Sequence, residues 1–100
     1  MTTQQVRDEL AKMMGWMLTR EGGDTWRHKD PTRPWSLHPI PDTIESALAC
    51  LPEGLSWRRY GGVFYAFDDG GDEIEVPDTG NVKADLFNLA LAAQKASVKK

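Results

Sequence analysis

The apolar residues of the chain first repeat with helical spacing. Between Thr2 and about Thr19 they recur at steps of four, three, one and three, and Gly22-Gly23 follows as a stop. Thr2 and Gln5 have the spacing of a capping box, in which each side chain bonds the other residue's backbone N–H. A first helix is therefore predicted, with an apolar face formed by Val6, Leu10, Met13, Met14 and Met17.

Two further stretches have the same helical period. Asp42 is predicted to cap the second helix, which runs to Leu51, and Glu45 completes its capping box. The third helix is predicted from Val82 to about Ala96, with fraying from about Ser97 onward.

A change from helical to strand periodicity marks the middle of the chain. Ser56 to Tyr60 and Val63 to Phe67 are β-prone runs joined by Gly61-Gly62, which suits a tight type I′ turn. Glu73 to Val76 alternates polar and apolar residues and is predicted to pair antiparallel with Val63 to Phe67. Residues 24–41 contain four prolines, so we expect at most a short edge strand there, at Thr25 to His28.

These elements predict a single α+β domain over residues 1–100. An antiparallel sheet of three or four strands is packed with three helices, in the order α-(β)-α-β-β-β-α. The glycine turn pairs Tyr60 with Val63 and divides the hairpin into two faces. One face carries Trp57, Arg59, Phe64 and Ala66, and the other carries Arg58, Tyr60, Val63, Tyr65 and Phe67. We expect the first face to lie inside, because the small Ala66 leaves room for a helix.

Composition and charge narrow the function classes. The net charge of −3 gives little attraction for nucleic acid. No run is apolar enough to span a membrane, the N-terminus has no secretory pattern, and Cys50 is the single cysteine. We therefore expect a cytoplasmic protein with no membrane contact. Its oligomeric state, monomer or homodimer, stays open.

No residue pattern indicates catalysis or a cofactor. His28, Asp30, His38 and Cys50 are the candidate metal ligands, and their spacing matches no zinc signature. Cys50 is expected to be a buried structural thiol. We therefore predict a protein that is not an enzyme and uses neither metal nor cofactor.

The order of the elements and several short motifs resemble the phage ABA sandwich domain proteins, which are small phage and prophage proteins. The motifs are Met14-Gly15-Trp16, Trp35-Ser36, the second helix, the strand Val63 to Phe67 and the last helix from Leu86 to Ala96. The resemblance covers nearly the whole chain and implies the fold and a phage origin. It implies no catalytic residues.

Aromatic and charged residues outside the predicted core indicate a partner-binding surface, since tryptophan, tyrosine and arginine are favoured at interfaces. Such residues occur in the proline-rich segment, on the hairpin and in the acidic run from Asp68 to Asp78. The alternatives are that the acidic run is a solvated loop and that the rings of Trp26 and Trp35 fold back over the sheet and pin the proline-rich segment. The candidates are Trp26, Arg27, Lys29, Arg33, Trp35, Arg58, Tyr60, Tyr65, Asp68, Asp69, Asp72, Glu73 and Glu75.

The hypothesis that follows is an accessory protein of phage type that binds a host or phage protein without catalysis. By analogy, it is an inhibitor of a CRISPR effector complex. The alternative is a single-stranded nucleic-acid-binding module that uses the aromatic and basic hairpin face.

Overall fold

A computed structural model describes residues 2–19, 25–34, 37–68, 70–71 and 73–98. Within these ranges the chain has the predicted α+β class, with three helices and two antiparallel sheets. The elements in order are α1 (Thr3–Met13), β1 (Trp16–Leu18), β2 (Trp26–His28), α2 (Ile44–Ala49), β3 (Ser56–Tyr60), β4 (Val63–Phe67), β5 (Glu73–Pro77) and α3 (Val82–Val98). None of the described helices combines the length and apolar character needed to cross a membrane.

Helix α1 begins as predicted and ends early. Thr2 and Gln5 form the capping box. The prediction that this helix continues to about Thr19 is wrong, because Gly15 turns the chain at a φ of +94° just after the helix. The predicted stop at Gly22-Gly23 lies outside the described residues.

Beyond Gly15 the chain forms β1, which pairs antiparallel with β2 in a smaller sheet. The short strand predicted at Thr25 to His28 is thus confirmed as Trp26–His28, and its partner is a strand that the sequence pattern did not predict. Trp16, Leu18, Trp26 and His28 lie on one side and are buried or half-buried, whereas Met17 and Arg27 face solvent.

Helix α2 is shorter than predicted, and a different residue caps it. The Oγ1 atom of Thr43 accepts the backbone N–H of Ser46 at 3.1 Å, so Thr43 is the N-cap in place of Asp42. Asp42 instead pairs with Lys83 of α3, at 3.2 Å.

The larger sheet has the order β3-β4-β5 and the predicted register. Tyr60 lies opposite Val63 across a turn in which Gly61 and Gly62 have φ values of +61° and +78°. This geometry matches the two positive φ angles of a type I′ turn. Strand β5 pairs antiparallel with β4, as predicted, and extends to Pro77.

Helix α3 covers one face of the larger sheet, and α1 and α2 pack on α3. The predicted inner position is confirmed for Phe64 and Ala66, which are fully buried in the same core cluster as Leu86, Phe87 and Leu89 of α3. Trp57 departs from the prediction, because β3 extends past the helix and leaves this ring 39% exposed.

The turn into α3 is built around a buried carboxylate. Asp85 accepts the backbone N–H of Thr79 at 2.8 Å and its hydroxyl at 2.7 Å. Asn81 accepts the N–H of Ala84 and thereby caps the first turn. The helix continues to Val98, past its predicted end, and Lys99 and Lys100 lie outside the described residues.

Candidate protein-binding face of the larger sheet

The face of the larger sheet opposite α3, which we call the outer face, gathers the best candidate residues into one surface. Strand alternation and the observed register determine its members. They are Ser56, Arg58 and Tyr60 of β3, Val63, Tyr65 and Phe67 of β4, and Glu73, Glu75 and Pro77 of β5.

The outer face is open to solvent across its whole width. Its β3 and β5 side chains are exposed and its β4 side chains are half-buried, while their inward neighbours on β4 are buried. Tyr60 is 74% exposed beside the hairpin turn. Among the described helices, only α3 brings its backbone close to this sheet, and it lies beside β4 and β5 rather than β3.

Arg58 is held over the aromatic centre of this face. Its guanidinium carbon lies 5.4 Å from the ring centre of Tyr65 and 5.5 Å from that of Phe67. Cation–π attraction of this kind contributes about 0.5–1 kcal/mol at exposed sites. The contact orients an exposed guanidinium, a group whose N–H donors suit recognition of a carboxylate.

The charges on the outer face are separated by strand. Arg58 lies directly opposite Tyr65, and Tyr65 lies directly opposite Glu75, so a cation, a ring and a carboxylate form one row across the sheet. Glu73 adds a second carboxylate on β5. Among the described residues, none of these charged side chains forms an ion pair, so all of them remain available to a partner.

Arg59 points to the opposite side of β3 and has a structural partner. Its Nε donates to Asp78, and its guanidinium carbon lies 5.3 Å from the ring centre of Phe64. The hydrogen bond from Arg59 lowers the pKa of Asp78, with further help from the backbone N–H of Gly80, and the same bond to Asp78 raises the pKa of Arg59. This pair ties the sheet edge to the turn before α3.

The predicted candidates fall into separate regions. Arg58, Tyr60, Tyr65, Glu73 and Glu75 share the outer face. Asp68 directly follows β4, and its Oδ1 accepts the N–H of Gly70 at 2.9 Å. Arg27, Lys29 and Arg33 are exposed on β2 and the turn after it. Trp35, Asp69 and Asp72 lie outside the described residues.

Trp26 does not belong to a binding surface, in contrast to its candidate status. It is only 3% exposed, packs in the core and has its ring centre 5.1 Å from that of His38. Burial inside the fold removes its contact area from any partner, so the ring anchors the proline-rich segment instead.

Four outer-face residues, Ser56, Val63, Phe67 and Pro77, were not among the candidates. Val63, Phe67 and Pro77 complete the apolar part of the surface. Val63 and Phe67 were already assigned to this side by strand alternation. Pro77 could have been found by extending the β5 pairing one residue past Val76.

Both histidines have structural hydrogen bonds. His28 accepts the N–H of Asp30 at Nδ1, at 2.9 Å, so its proton is on Nε2, which donates to the Met14 carbonyl at 2.9 Å. His38 accepts the N–H of Ile40 in the same way and donates from Nε2 to Asp8. In the part of the chain that the structure describes, no three histidine, cysteine or acidic residues come together as a metal site.

The pKa values of Cys50 and Asp30 are shifted by their local surroundings. Cys50 is buried at the end of α2, and this burial raises the pKa of its thiol. Asp30 accepts the N–H and hydroxyl of Thr32, and these hydrogen bonds lower the pKa of its carboxyl. Neither arrangement supplies an activated nucleophile with a base beside it.

A groove of about 650 Å³ lies at one end of the larger sheet, between α3 and the turn before β3. Exposed carboxylates, Glu53 and Glu73, and apolar side chains, Leu55, Ile74 and Ala93, line it. The groove shares Glu73 with the outer face and extends the acidic side of that surface.

The fold and the outer face define a small α+β domain with an open antiparallel sheet. Comparison of the chain with protein-family models, curated proteins and solved structures found no match. Its function is therefore argued from the surface itself.

Proposed function

We propose that this chain is a non-catalytic protein-binding domain that binds its partner through the outer face of the larger sheet. The observation that carries the proposal is that this face has an aromatic centre but no described helix covering it. Tyrosine and arginine are enriched among the residues that dominate binding energy at interfaces, and Arg58, Tyr60 and Tyr65 lie together here.

The charges of the outer face favour a protein partner over nucleic acid. Single-stranded nucleic acid binds to surfaces that combine stacking rings with a positively charged path for the phosphates. Here the rings are present, but Arg58 is accompanied by Glu73 and Glu75 on the same face. A phosphate backbone would meet more repulsion than attraction, whereas a protein can place a carboxylate at Arg58 and a cation at Glu75.

The resemblance to phage ABA sandwich domain proteins supports a finer version of the proposal. In this version the chain is an accessory protein of phage type, acting in the host cytoplasm on a host or phage protein. A CRISPR effector complex is the first partner to test, by analogy with small phage proteins that act against host defence. A protein that occupies an essential surface of such a complex inhibits it without any chemistry of its own.

The test compares surface variants in a binding experiment. The immobilised chain is exposed to a lysate of phage-infected cells and, separately, to a purified CRISPR effector complex. We expect a protein to be retained at moderate salt, and we expect Tyr60→Ala and Arg58→Ala to release it. Arg27→Ala is the matched control, because Arg27 is exposed on the smaller sheet, and it should retain the partner.

Binding to single-stranded DNA is measured in parallel over a salt series. Phosphate-driven binding weakens steeply between about 50 and 200 mM salt. Retention of DNA with this salt dependence, together with no retained protein, would contradict the proposal and favour the nucleic-acid alternative. Equal retention of protein by the wild type and both outer-face variants would move the binding site elsewhere.

A further inference from the structure

The partner that the outer face fits best is a second copy of this chain. We infer that two copies pack outer face to outer face, related by a two-fold axis parallel to β4, as a small sandwich of two sheets. The inference rests on the proposed protein-binding role of this face and names its occupant.

The charged row across the sheet is the main argument. It runs from Arg58 on β3 through Tyr65 on β4 to Glu75 on β5. A two-fold axis along β4 places β3 of one copy over β5 of the other. Arg58 of each copy then faces Glu75 of its partner, and the Tyr65 rings meet at the axis, so both unpaired charges gain an opposite charge.

The neighbouring rows are complementary under the same rotation. In the row beside the hairpin turn, Tyr60 and Pro77 stand at opposite edges with Val63 between them, so a tyrosine ring packs on the partner's proline. In the remaining row, Ser56 and Glu73 stand at opposite edges with Phe67 between them. The hydroxyl of Ser56 then donates to a carboxylate.

The other in-plane axis is excluded by the same charges. A two-fold axis perpendicular to the strands would place β3 over β3 and β5 over β5. Arg58 would then face Arg58 of the partner, and Glu75 would face Glu75. Like charges placed together at an interface disfavour that arrangement, so the pattern selects a single orientation. Face-to-face sheets align their strands within about 30°, which keeps the rows matched near the axis.

The size of the face sets the strength of the dimer. Strands about 4.8 Å apart with a rise of about 3.3 Å per residue give a face of about 14 Å by 17 Å. This footprint is small beside the roughly 800 Å² that each partner buries in a standard interface. The dimer is therefore weak and concentration-dependent.

Sedimentation velocity and a charge swap test the inference. Between about 10 µM and 1 mM the wild-type chain should shift from monomer toward dimer, and less so at high salt. Arg58→Glu and Glu75→Arg should each weaken the dimer at least about tenfold, since each puts like charges in contact. The double variant Arg58→Glu/Glu75→Arg should recover most of the association. Arg27→Glu and Glu45→Arg are controls with the same change in net charge on other exposed surfaces.

A dilution series by NMR gives a second measurement that needs no variant. Backbone amide shifts should change with concentration at Tyr65, Phe67 and Glu75 and stay constant in β2. Changes confined to another surface would overturn the inference, as would a dimer that the double variant fails to restore.

The failure of this inference is distinguishable from failure of the proposed function. One outcome is that the wild type is monomeric at every concentration while Arg58→Ala and Tyr60→Ala still lose a captured protein. In that case the inference of a dimer is wrong and the protein-binding role stands. If the charge swap behaves as expected while both variants retain every captured protein, the face serves only self-association. If the protein-binding role and the self-association are both correct, a captured partner should compete with the second copy and dissociate the dimer.

Discussion

Replacing Gly15 with alanine adds one methyl group where the chain turns from α1 into β1, and the structure indicates a large effect. Gly15 has a φ of +94°, a region in which an L-residue with a side chain is strained by about 1–2 kcal/mol. The added carbon would also lie 3.0 Å from Nε2 and 3.3 Å from Cε1 of His28.

The His28 ring has little room to retreat. Both of its nitrogens are hydrogen-bonded to backbone groups, and its ring centre lies 5.0 Å from that of Trp16 in an edge-to-face contact. Moving the ring breaks a part-buried hydrogen bond, which costs about 1–2 kcal/mol when a group is left unsatisfied. Gly15→Ala should therefore lower the free energy of unfolding by about 2–4 kcal/mol.

Gly80→Ala is the matched control. Gly80 has nearly the same φ, +92°, but a methyl group there meets no atom within 4 Å. Gly80→Ala should therefore lower the free energy of unfolding only by the backbone strain, about 1–2 kcal/mol. Urea unfolding followed by tryptophan fluorescence measures both variants, and with an m-value near 1 kcal/mol/M the midpoints should differ by about 1–2 M. Equal midpoints would refute the claim that the His28 ring restricts Gly15.

Three further predictions concern Asp85, the two sheet faces and the Arg59–Asp78 pair. Asp85→Ala should lower the free energy of unfolding by about 2–3 kcal/mol in urea, because it removes two hydrogen bonds to a buried carboxylate. Phe64→Ala should cost about 3–5 kcal/mol and Tyr60→Ala less than about 0.5 kcal/mol, since only Phe64 is buried. The folded pKa of Asp78 lies below the ordinary value of 3.8 for an aspartate, so the stabilisation from Asp78 is present above that pH and is lost as the pH falls through the lowered pKa. Arg59→Gln should therefore be less stable than wild type at pH 7, with a difference that shrinks below pH 3.8 in acid unfolding experiments.

The register of the larger sheet could be predicted because local residues determine it. Gly61-Gly62 fixes a two-residue turn, and once Tyr60 is paired with Val63 every other pair on β3 and β4 follows. The alternation in Glu73 to Val76 then determines which side of β5 faces α3. Short-range turn chemistry and strand periodicity are sufficient at these positions.

The boundary between α1 and β1 could not be predicted in the same way. Met17 continues the helical spacing of Val6, Leu10 and Met13, so periodicity extends the helix through a strand of only three residues. What ends α1 is the positive φ of Gly15, together with pairing to β2. The pairing partner lies several residues further along the chain, and local spacing does not encode it.

The N-cap of α2 was decided by competition between two neighbouring residues. Asp42 and Thr43 are both good N-caps, and the pattern with Glu45 favoured Asp42. The backbone begins its helix one residue later, which frees Asp42 to reach Lys83 on α3. The burial of Trp26 also depends on residues elsewhere in the chain, because its pairing with Leu18 turns the ring toward the core.

The candidate site shows where sequence reasoning is strongest and where it ends. Arg58 and Glu75 are far apart in the chain, and their relation appears only when both strand pairings place them on either side of Tyr65. Residue types alone suggested a protein partner, with single-stranded nucleic acid as the alternative. The pairing gives a row with a cation at one edge and a carboxylate at the other, a pattern that a rotated copy of itself complements. For this surface, the spatial order of the charges therefore carries information that their number does not.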